Sequence, residues 1–178
     1  MDSINKQQPE DNHEDLRGPE AIEKLKALSD KAKSCFFCTR IIGGEAFSTR
    51  PMAVQKIDDA GNLWFLSAID SYKNKHLQAD PYVQLLFQGS AHSDFMSIYG
   101  HATVNQDKAI IKELWNPILK TWFTEGENDP RITVIKVTPR KGYYWDTKHG
   151  QFVAFAKQIA GAITGQTLDD SIEGKLTI

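Results

Sequence analysis

A cluster of hydroxyl and basic side chains between residues 50 and 75 has the composition of a phosphate site. Ser67 ends an apolar run, and Ser71 follows it at the start of a polar segment. The cations are Lys73 and Lys75 in that segment and Arg50 on the preceding strand-like run. Hydroxyls and backbone N–H groups at a helix start, with cations beside them, bind a phosphomonoester. Lysines at a helix start are more often solvated surface, so the spacing alone leaves both interpretations open.

Cys35 and Cys38 form a C-x-x-C motif, which is typical of a redox dithiol or half a zinc site. The surrounding run is β-rich, and residues three apart on a strand point to opposite faces. No second cysteine pair or histidine cluster follows in the sequence. We therefore expect two buried apolar thiols and no metal site.

The histidines and the common catalytic motifs give no assignment. The spacing H-x-x-x-H is absent, and His101 is expected to be a strand side chain rather than a general base, although spacing excludes neither. G-x-S-x-G, P-loop and G-x-G-x-x-G motifs are also absent, which removes the best-marked hydrolases, nucleoside triphosphatases and Rossmann enzymes. The catalytic residues, if there are any, remain unknown at this point.

Trp115, Trp122 and Trp145 lie in segments that also carry Pro, Gly or Asp. Flat rings in such segments stack on a heterocycle or cover a dimer interface, whereas plain core packing is the more frequent use of tryptophan. Both interpretations stay open on the residues alone.

Composition restricts the class of protein. The chain has 178 residues, of which 40% are hydrophobic, so we expect one globular domain with a real core. A net charge of -2 gives no attraction to nucleic acid. The sequence shows no apolar stretch of membrane-spanning length, and its polar N-terminus is expected to be neither signal nor anchor. The two cysteines are too few for a disulfide scaffold, and the cytoplasm is the expected compartment.

Six β-rich runs dominate the middle of the chain. Their short connections, including a Gly-containing turn at 58–62, favour an antiparallel barrel over a parallel α/β sheet. The predicted fold is therefore mainly β with flanking helices, an α+β architecture around a six-stranded antiparallel barrel. The runs are residues 35–42, 47–57, 62–68, 82–88, 95–104 and 132–139.

Helices and tails surround these strands. A helix is predicted from Pro19 through Lys33, and shorter helices at 71–79 and after Asp107, the last broken by Pro117. A further helix is predicted at 151–164. Polar composition predicts a disordered tail at 1–17 and a loose polar tail at 166–178, which leaves 18–165 as the domain.

Four motifs in order resemble the general stress protein branch of the pyridoxamine 5'-phosphate oxidase-like family. They are S-x-R-P-M, D-x-x-G-x-L-W-F, S-x-K and Y-Y-W-D, and the resemblance covers roughly residues 19–165. It implies a split β-barrel of the FMN-binding type, which forms a homodimer with one flavin mononucleotide at each of two sites between subunits.

The resemblance also implies roles for nine residues. Those matched to the phosphate and ribityl chain are Arg50, Ser67, Ser71 and Lys73; those beside the flavin ring are Pro51, Met52 and Leu66; those in segments contributed by the second subunit are Trp115 and Trp145. True oxidases carry a cation where this chain has Tyr72, so either Lys75 compensates or the affinity for phosphate is lower.

The resemblance predicts a cytoplasmic flavoprotein with oxidoreductase activity toward a small-molecule electron donor or acceptor. The cofactor is FMN, with FAD possible. Vitamin B6 oxidation is not expected, since the oxidases' C-terminal substrate segment is replaced by the run at 151–164. One alternative is a non-catalytic flavin carrier that sequesters flavin during stress. Another is a split barrel that binds haem or a deazaflavin.

Overall fold

The computed structural model describes residues 11–41, 46–149 and 170–178. In those ranges the chain forms one nine-stranded sheet, with three α-helices packed around it. The strands are β1 (Leu16–Arg17), β2 (Ser34–Thr39), β3 (Ser48–Ala53), β4 (Lys56–Ile57), β5 (Leu63–Ala68), β6 (Tyr82–Gln88), β7 (Phe95–Asn105), β8 (Ile132–Thr147) and β9 (Ser171–Thr177). The helices are α1 (Pro19–Ala32), α2 (Tyr72–Ala79) and α3 (Lys108–Leu114), followed by two 3-10 helices at Pro117–Thr121 and Gly126–Asn128. Within the described residues, no helix has the length and apolar character that a membrane span requires.

The sheet is antiparallel except where β1 runs parallel to β9, and its strand order is β1–β9–β8–β7–β6–β2–β3. Strand β8 divides one of its edges between two partners: β5 pairs with residues 132–137, and β9 pairs with residues 142–147. Strand β7 pairs along its other edge. The predicted class, an antiparallel β fold with flanking helices, is confirmed, and the barrel is not closed edge to edge.

The strand predicted at 47–57 is two strands, and this corrects the sequence interpretation. Val54 donates its backbone N–H to the carbonyl of Lys33 (3.3 Å), and Gln55 donates to the carbonyl of Trp64 (2.9 Å). These bonds turn the chain, so that β3 pairs with β2 while β4 pairs with β5. Between β3 and β5 the sheet is therefore split.

The turn predicted between β4 and β5 is confirmed. The Asp58 carboxylate accepts hydrogen bonds from the backbone N–H groups of Ala60 (3.0 Å) and Asn62 (2.9 Å) and from Trp64 Nε1 (3.0 Å). Gly61 has a φ of 78°, a backbone conformation that favours glycine. The turn thereby fixes the register with which β5 enters the sheet.

Two hydrophobic clusters hold the elements together. The larger fills the barrel beneath α1, where Phe37 and Phe65 meet edge to face at 5.3 Å between ring centroids. The smaller lies beneath α3 and the 3-10 segment and consists of Ile111, Leu114, Leu119, Phe123, Ile132 and Val134. Each such side chain stabilises the fold by about 1.5–3 kcal/mol on burial.

Both cysteines are free and buried, with Cys35 in the larger cluster. Burial raises the pKa of the Cys35 thiol to about 12, so it stays neutral at physiological pH. Cys38 donates its thiol to Thr49 Oγ1 (3.4 Å). The burial of both side chains agrees with the structural role expected for the C-x-x-C motif.

Strands β1 (Leu16–Arg17) and β9 (Ser171–Thr177) lie within the two predicted tails and belong to the sheet, which corrects the expectation that these residues are loose. Residues 171–177 alternate apolar and polar positions, with Ile172 partly buried and Leu176 buried in the core. The prediction considered composition and overlooked this period of two. Gly174 allows close approach, since a Cβ there would lie 1.8 Å from the Glu14 carbonyl oxygen. The helix predicted at 151–164 lies outside the described residues.

Strand β8 also extends beyond its predicted end at Pro139. The ladder with β7 shifts between Tyr99 and Gly100, so that Arg140 is an extra residue opposite them. Proline lacks the N–H that a regular ladder requires, and a β-bulge accommodates it. The eight further residues, 140–147, pair with β9 and include Tyr143 and Trp145, whose aromatic side chains lie on the outer sheet face.

An ion-pair network attaches α1 to the sheet. Lys31 donates to Asp94, which is 3% exposed, and lies 3.8 Å from Asp146, to which Lys24 also donates at 3.0 Å. The hydrogen bond to Asp94 raises the pKa of the Lys31 ammonium. Its stabilising contribution is therefore present below the ordinary lysine pKa and is lost only as the pH rises through the raised value.

We predict that Lys31→Met lowers the free energy of unfolding at pH 7. Breaking a buried ion pair costs roughly 3–5 kcal/mol, and because half of the Lys31 side chain is exposed we expect about 1–2 kcal/mol. Urea unfolding followed by circular dichroism measures the change. The matched control is Lys33→Met, whose partner Asp30 is also exposed; equal effects of the two substitutions would contradict the assignment.

Candidate functional site

A cleft of about 360 Å³ opens where the sheet is split between β3 and β5. We call it the β3–β5 cleft. Its floor comes from the two strands and the start of α2, and its outer wall comes from the 3-10 segment that follows α3. The lining residues are Pro51, Met52, Ala53, Gln55, Leu66, Ser67, Ala68, Lys73, Leu119, Trp122 and Phe123.

The polar wall of the cleft is held in place by α2. Ser71 caps the helix by accepting the backbone N–H of Asn74 (3.4 Å), and its hydroxyl lies 3.1 Å from that of Ser67. Asn74 is 2% exposed and donates its amide to Ala68 O (3.0 Å) and Thr133 Oγ1 (2.8 Å). The start of the helix is thereby fixed against the ends of β5 and β8, with two hydroxyls next to Lys73.

The charges beside this wall are positive and destabilise one another. Burial lowers the pKa of Lys73, and the nearby Arg50 guanidinium lowers it further, while Asp70 only partly opposes them. Burial also lowers the pKa of Arg50. A cation whose charged form is disfavoured by burial and by a second cation gains from an anion placed beside both. The donor set therefore matches a phosphate group.

Arg50 is held by a short chain of hydrogen bonds. Its Nη1 donates to Thr39 Oγ1 (3.0 Å), and that hydroxyl lies 2.9 Å from His76 Nδ1. Thr39 is fully buried, which fixes the guanidinium near Lys73. Burial lowers the pKa of His76, and the adjacent Arg50 and Arg40 lower it further, so the neutral imidazole is favoured.

The structure brings together five of the residues predicted from the sequence, since Pro51, Met52, Leu66, Ser67 and Lys73 all line the cleft. Two more lie beside it: Ser71 is hydrogen-bonded to Ser67, and Arg50 acts electrostatically on Lys73.

Three predicted residues lie elsewhere in the same chain. Lys75 is exposed, with its ammonium 5.5 Å from the ring centroid of Tyr72. Trp115 packs against the smaller hydrophobic cluster. Trp145 stands on the outer face of β8, with its ring centroid 4.7 Å from that of Tyr143. A contribution of these tryptophans to a site would have to come from another copy of the chain.

Sequence reasoning did not assign the residues of the cleft's apolar wall. Leu119, Trp122 and Phe123 reach the cleft because Pro117 ends α3 and the chain continues as a 3-10 turn. The signal in the sequence was a tryptophan with the apolar residues Leu119 and Phe123 close to it. In the structure Leu119 and Phe123 are 9% and 5% exposed, whereas Trp122 is 62% exposed. Periodicity did not reveal this arrangement, since a 3-10 turn repeats differently from an α-helix.

Groups of three or more His, Cys, Asp or Glu arranged to hold a metal ion are absent from residues 11–41, 46–149 and 170–178. Lys73 is the titratable side chain in the described lining of the cleft. The arrangement is thus suited to binding an anionic ligand with a flat apolar part, and the described lining itself contains no carboxylate or imidazole.

Several known proteins are similar to this chain in sequence or in fold. Protein bli-3 of Neurospora crassa is 27% identical over 154 residues, covering 82% of this chain and 74% of that protein. A crystal structure provisionally named general stress protein 26, from Jannaschia sp. CCS1, has a TM-score of 0.70 at 23% identity and covers 88% of this chain and 96% of its own. The general stress FMN/FAD binding protein of Xanthomonas citri has a TM-score of 0.56 at 27% identity, covering 67% and 82%.

The family profile described as "Pyridoxamine 5'-phosphate oxidase like" matches residues 20–169. This range contains β2 to β8, α2, α3 and all of α1 except Pro19, and it includes all the residues that line the β3–β5 cleft. The structural neighbours have the same split-barrel fold. The chain therefore belongs to the pyridoxamine 5'-phosphate oxidase-like family.

Proposed function

We propose that this chain is an FMN-binding protein of the general stress type and that the β3–β5 cleft holds the flavin. The observation that carries the proposal is the joining of two walls in one cleft: a cationic wall with hydroxyl groups and an apolar wall with an exposed indole. FMN combines a phosphate with a flat ring. A family member from Xanthomonas citri is named an FMN/FAD binding protein, which supports flavin as the ligand; FAD is the second form to test.

In this proposal the polar wall binds the phosphate. Lys73 and Arg50 supply charge, and the hydroxyls of Ser67 and Ser71 supply hydrogen bonds. Met52 and Leu66 line the remainder of the cleft beside the ring and ribityl chain. Lys75 is not needed for this arrangement, because it extends toward Tyr72 instead.

The flavin supplies electron or hydride transfer when it is bound, and the chain supplies binding, orientation and partial exclusion of water. The described cleft lining contains no carboxylate or imidazole, so we assign no catalytic acid or base. We propose a flavin-dependent oxidoreductase that uses a small-molecule donor or acceptor other than pyridoxamine phosphate. A second candidate, which needs only the two binding walls of the cleft, is a flavin carrier without catalysis.

The homodimer is also a proposal. Phe36 on β2 and Leu86 on β6 lie opposite each other and are 54% and 39% exposed, and Trp145 on β8 is 42% exposed. A groove of about 560 Å³ runs along the same outer sheet face. Apolar side chains exposed together indicate an interface, and a second copy would cover them. Because both thiols are free, we place the dimer in the reducing cytoplasm.

We predict that Lys73→Ala weakens FMN binding by about ten-fold or more, because a charge-assisted hydrogen bond contributes about 1.5–3 kcal/mol. Adding Arg50→Ala should weaken it further. Equilibrium dialysis against FMN measures both effects. Lys120→Ala is the matched control, since this exposed cation of the 3-10 segment does not line the cleft. Wild-type affinity in the double variant would contradict the phosphate assignment.

Anaerobic mixing of the FMN-loaded protein with NADH or NADPH separates the two candidates. We expect the flavin absorbance to bleach with one of these donors or with a reduced flavin partner if the protein is an oxidoreductase. A flavin that stays oxidised with all three donors would favour the carrier. A visible spectrum of haem or deazaflavin in the isolated protein would contradict both.

For the dimer, sedimentation velocity at micromolar concentration should give twice the mass of the chain. Phe36→Glu places a charge on the outer sheet face and should shift the protein to monomers without lowering its thermal stability by more than a surface substitution does. A wild-type protein that sediments as a monomer would refute the interface.

A further inference from the structure

Trp122 combines high exposure with a fixed position. It is 62% exposed and lines the β3–β5 cleft, while Leu119 and Phe123 on either side of it are buried in the smaller hydrophobic cluster. The backbone N–H groups of Trp122 and Phe123 both donate to the Leu119 carbonyl at 3.0 Å. The exposed indole therefore extends from a turn that is anchored to the core by the side chains of Leu119 and Phe123.

Polar contacts fix the same turn from the other side. The Arg131 guanidinium donates to the fully buried Asp129 through Nε (3.0 Å) and Nη2 (2.7 Å), and Nη2 also approaches the Trp122 carbonyl at 3.4 Å. At the start of the segment, the Asn116 side chain donates to Gln55 Oε1 (3.1 Å), which ties the wall to the link between β3 and β4. A ligand that contacts Trp122 consequently loses little free energy in ordering the turn.

The aromatic contacts in the described structure leave the Trp122 ring free of ring partners, since they involve other residues. An exposed indole on a rigid turn, facing a cleft whose other wall matches a phosphate, offers a flat apolar surface to the remainder of the same ligand.

We infer that Trp122 is a ligand-binding contact that covers the flat ring of the flavin, acting independently of the phosphate contacts. The inference rests on the proposed function, because it assigns a contact within that same site. Trp115 and Trp145, which the family resemblance singled out, do not line the cleft of their own chain. Trp122 thus supplies the ring contact from the subunit that binds the phosphate.

The two walls can be tested separately with FMN and with riboflavin, which has the same ring and no phosphate. Stacking of an aromatic side chain on a flat base contributes about 1–3 kcal/mol, so Trp122→Ala should raise the dissociation constants of both ligands by about ten-fold and by the same factor. Lys73→Ala should raise that of FMN and leave that of riboflavin unchanged. Trp122→Phe, which keeps a flat ring, should restore most of the affinity for both.

Ile118→Ala is the matched control, because Ile118 is 73% exposed in the 3-10 helix that directly precedes Trp122 and does not line the cleft. Its dissociation constants should equal those of the wild type. Thermal unfolding of all variants checks that they fold, and the flavin quenching of tryptophan fluorescence should decrease in Trp122→Phe even at saturating flavin, because the indole next to the ring is gone.

Equal wild-type affinity of Trp122→Ala for both ligands would overturn the inference while leaving the proposed function intact. Weaker FMN binding with unchanged riboflavin binding would also overturn it, because the indole would then act at the phosphate. If wild-type protein binds neither ligand, the proposed function itself fails.

Discussion

Hydrogen bonding along β8 is the constraint on which the rest of the structure depends. This strand has 16 residues, and two different strands pair along one of its edges. Strand β5 pairs with its first part, and β9 pairs with its last part. Strand β5 is thereby separated from β3, to which only the β4 turn connects it. The cleft follows from this separation, because backbone pairing does not fill the gap between β3 and β5.

Charge is distributed differently at the cleft than elsewhere. Lys31, Lys56 and Arg131 each pair with a carboxylate, and in each case the hydrogen bond to that carboxylate raises the pKa of the cation. Lys73 and Arg50 instead have lowered pKa values, because burial and, for Lys73, a neighbouring cation disfavour their charged forms. Among the described residues, Lys73 carries this cost within the lining of the β3–β5 cleft, which also contains the apolar wall. In the proposed complex, the phosphate of the flavin relieves the repulsion and its ring covers the exposed indole of Trp122.

Much of the fold could be predicted from the sequence because its signals are local. Runs rich in β-forming residues located the central strands, and Ser71 and Asp107 marked helix starts where the structure has N-caps. One error was local, since the alternation in β9 was overlooked in favour of its polar composition. The other came from an interaction distant in sequence, because the bend at Val54 depends on a hydrogen bond to Lys33. For the site, strand and helix-start residues were accessible to pattern reasoning, whereas Trp122 lies on a 3-10 turn that has no clear sequence period.

A crystal structure of the protein soaked with FMN tests the central claim most directly. The account predicts electron density for one flavin in the β3–β5 cleft, with phosphate oxygens within hydrogen-bond distance of Lys73 Nζ and Ser67 Oγ and the ring against the indole of Trp122. Flavin density at another place on the protein, or a phosphate far from Lys73 and Arg50, would contradict it.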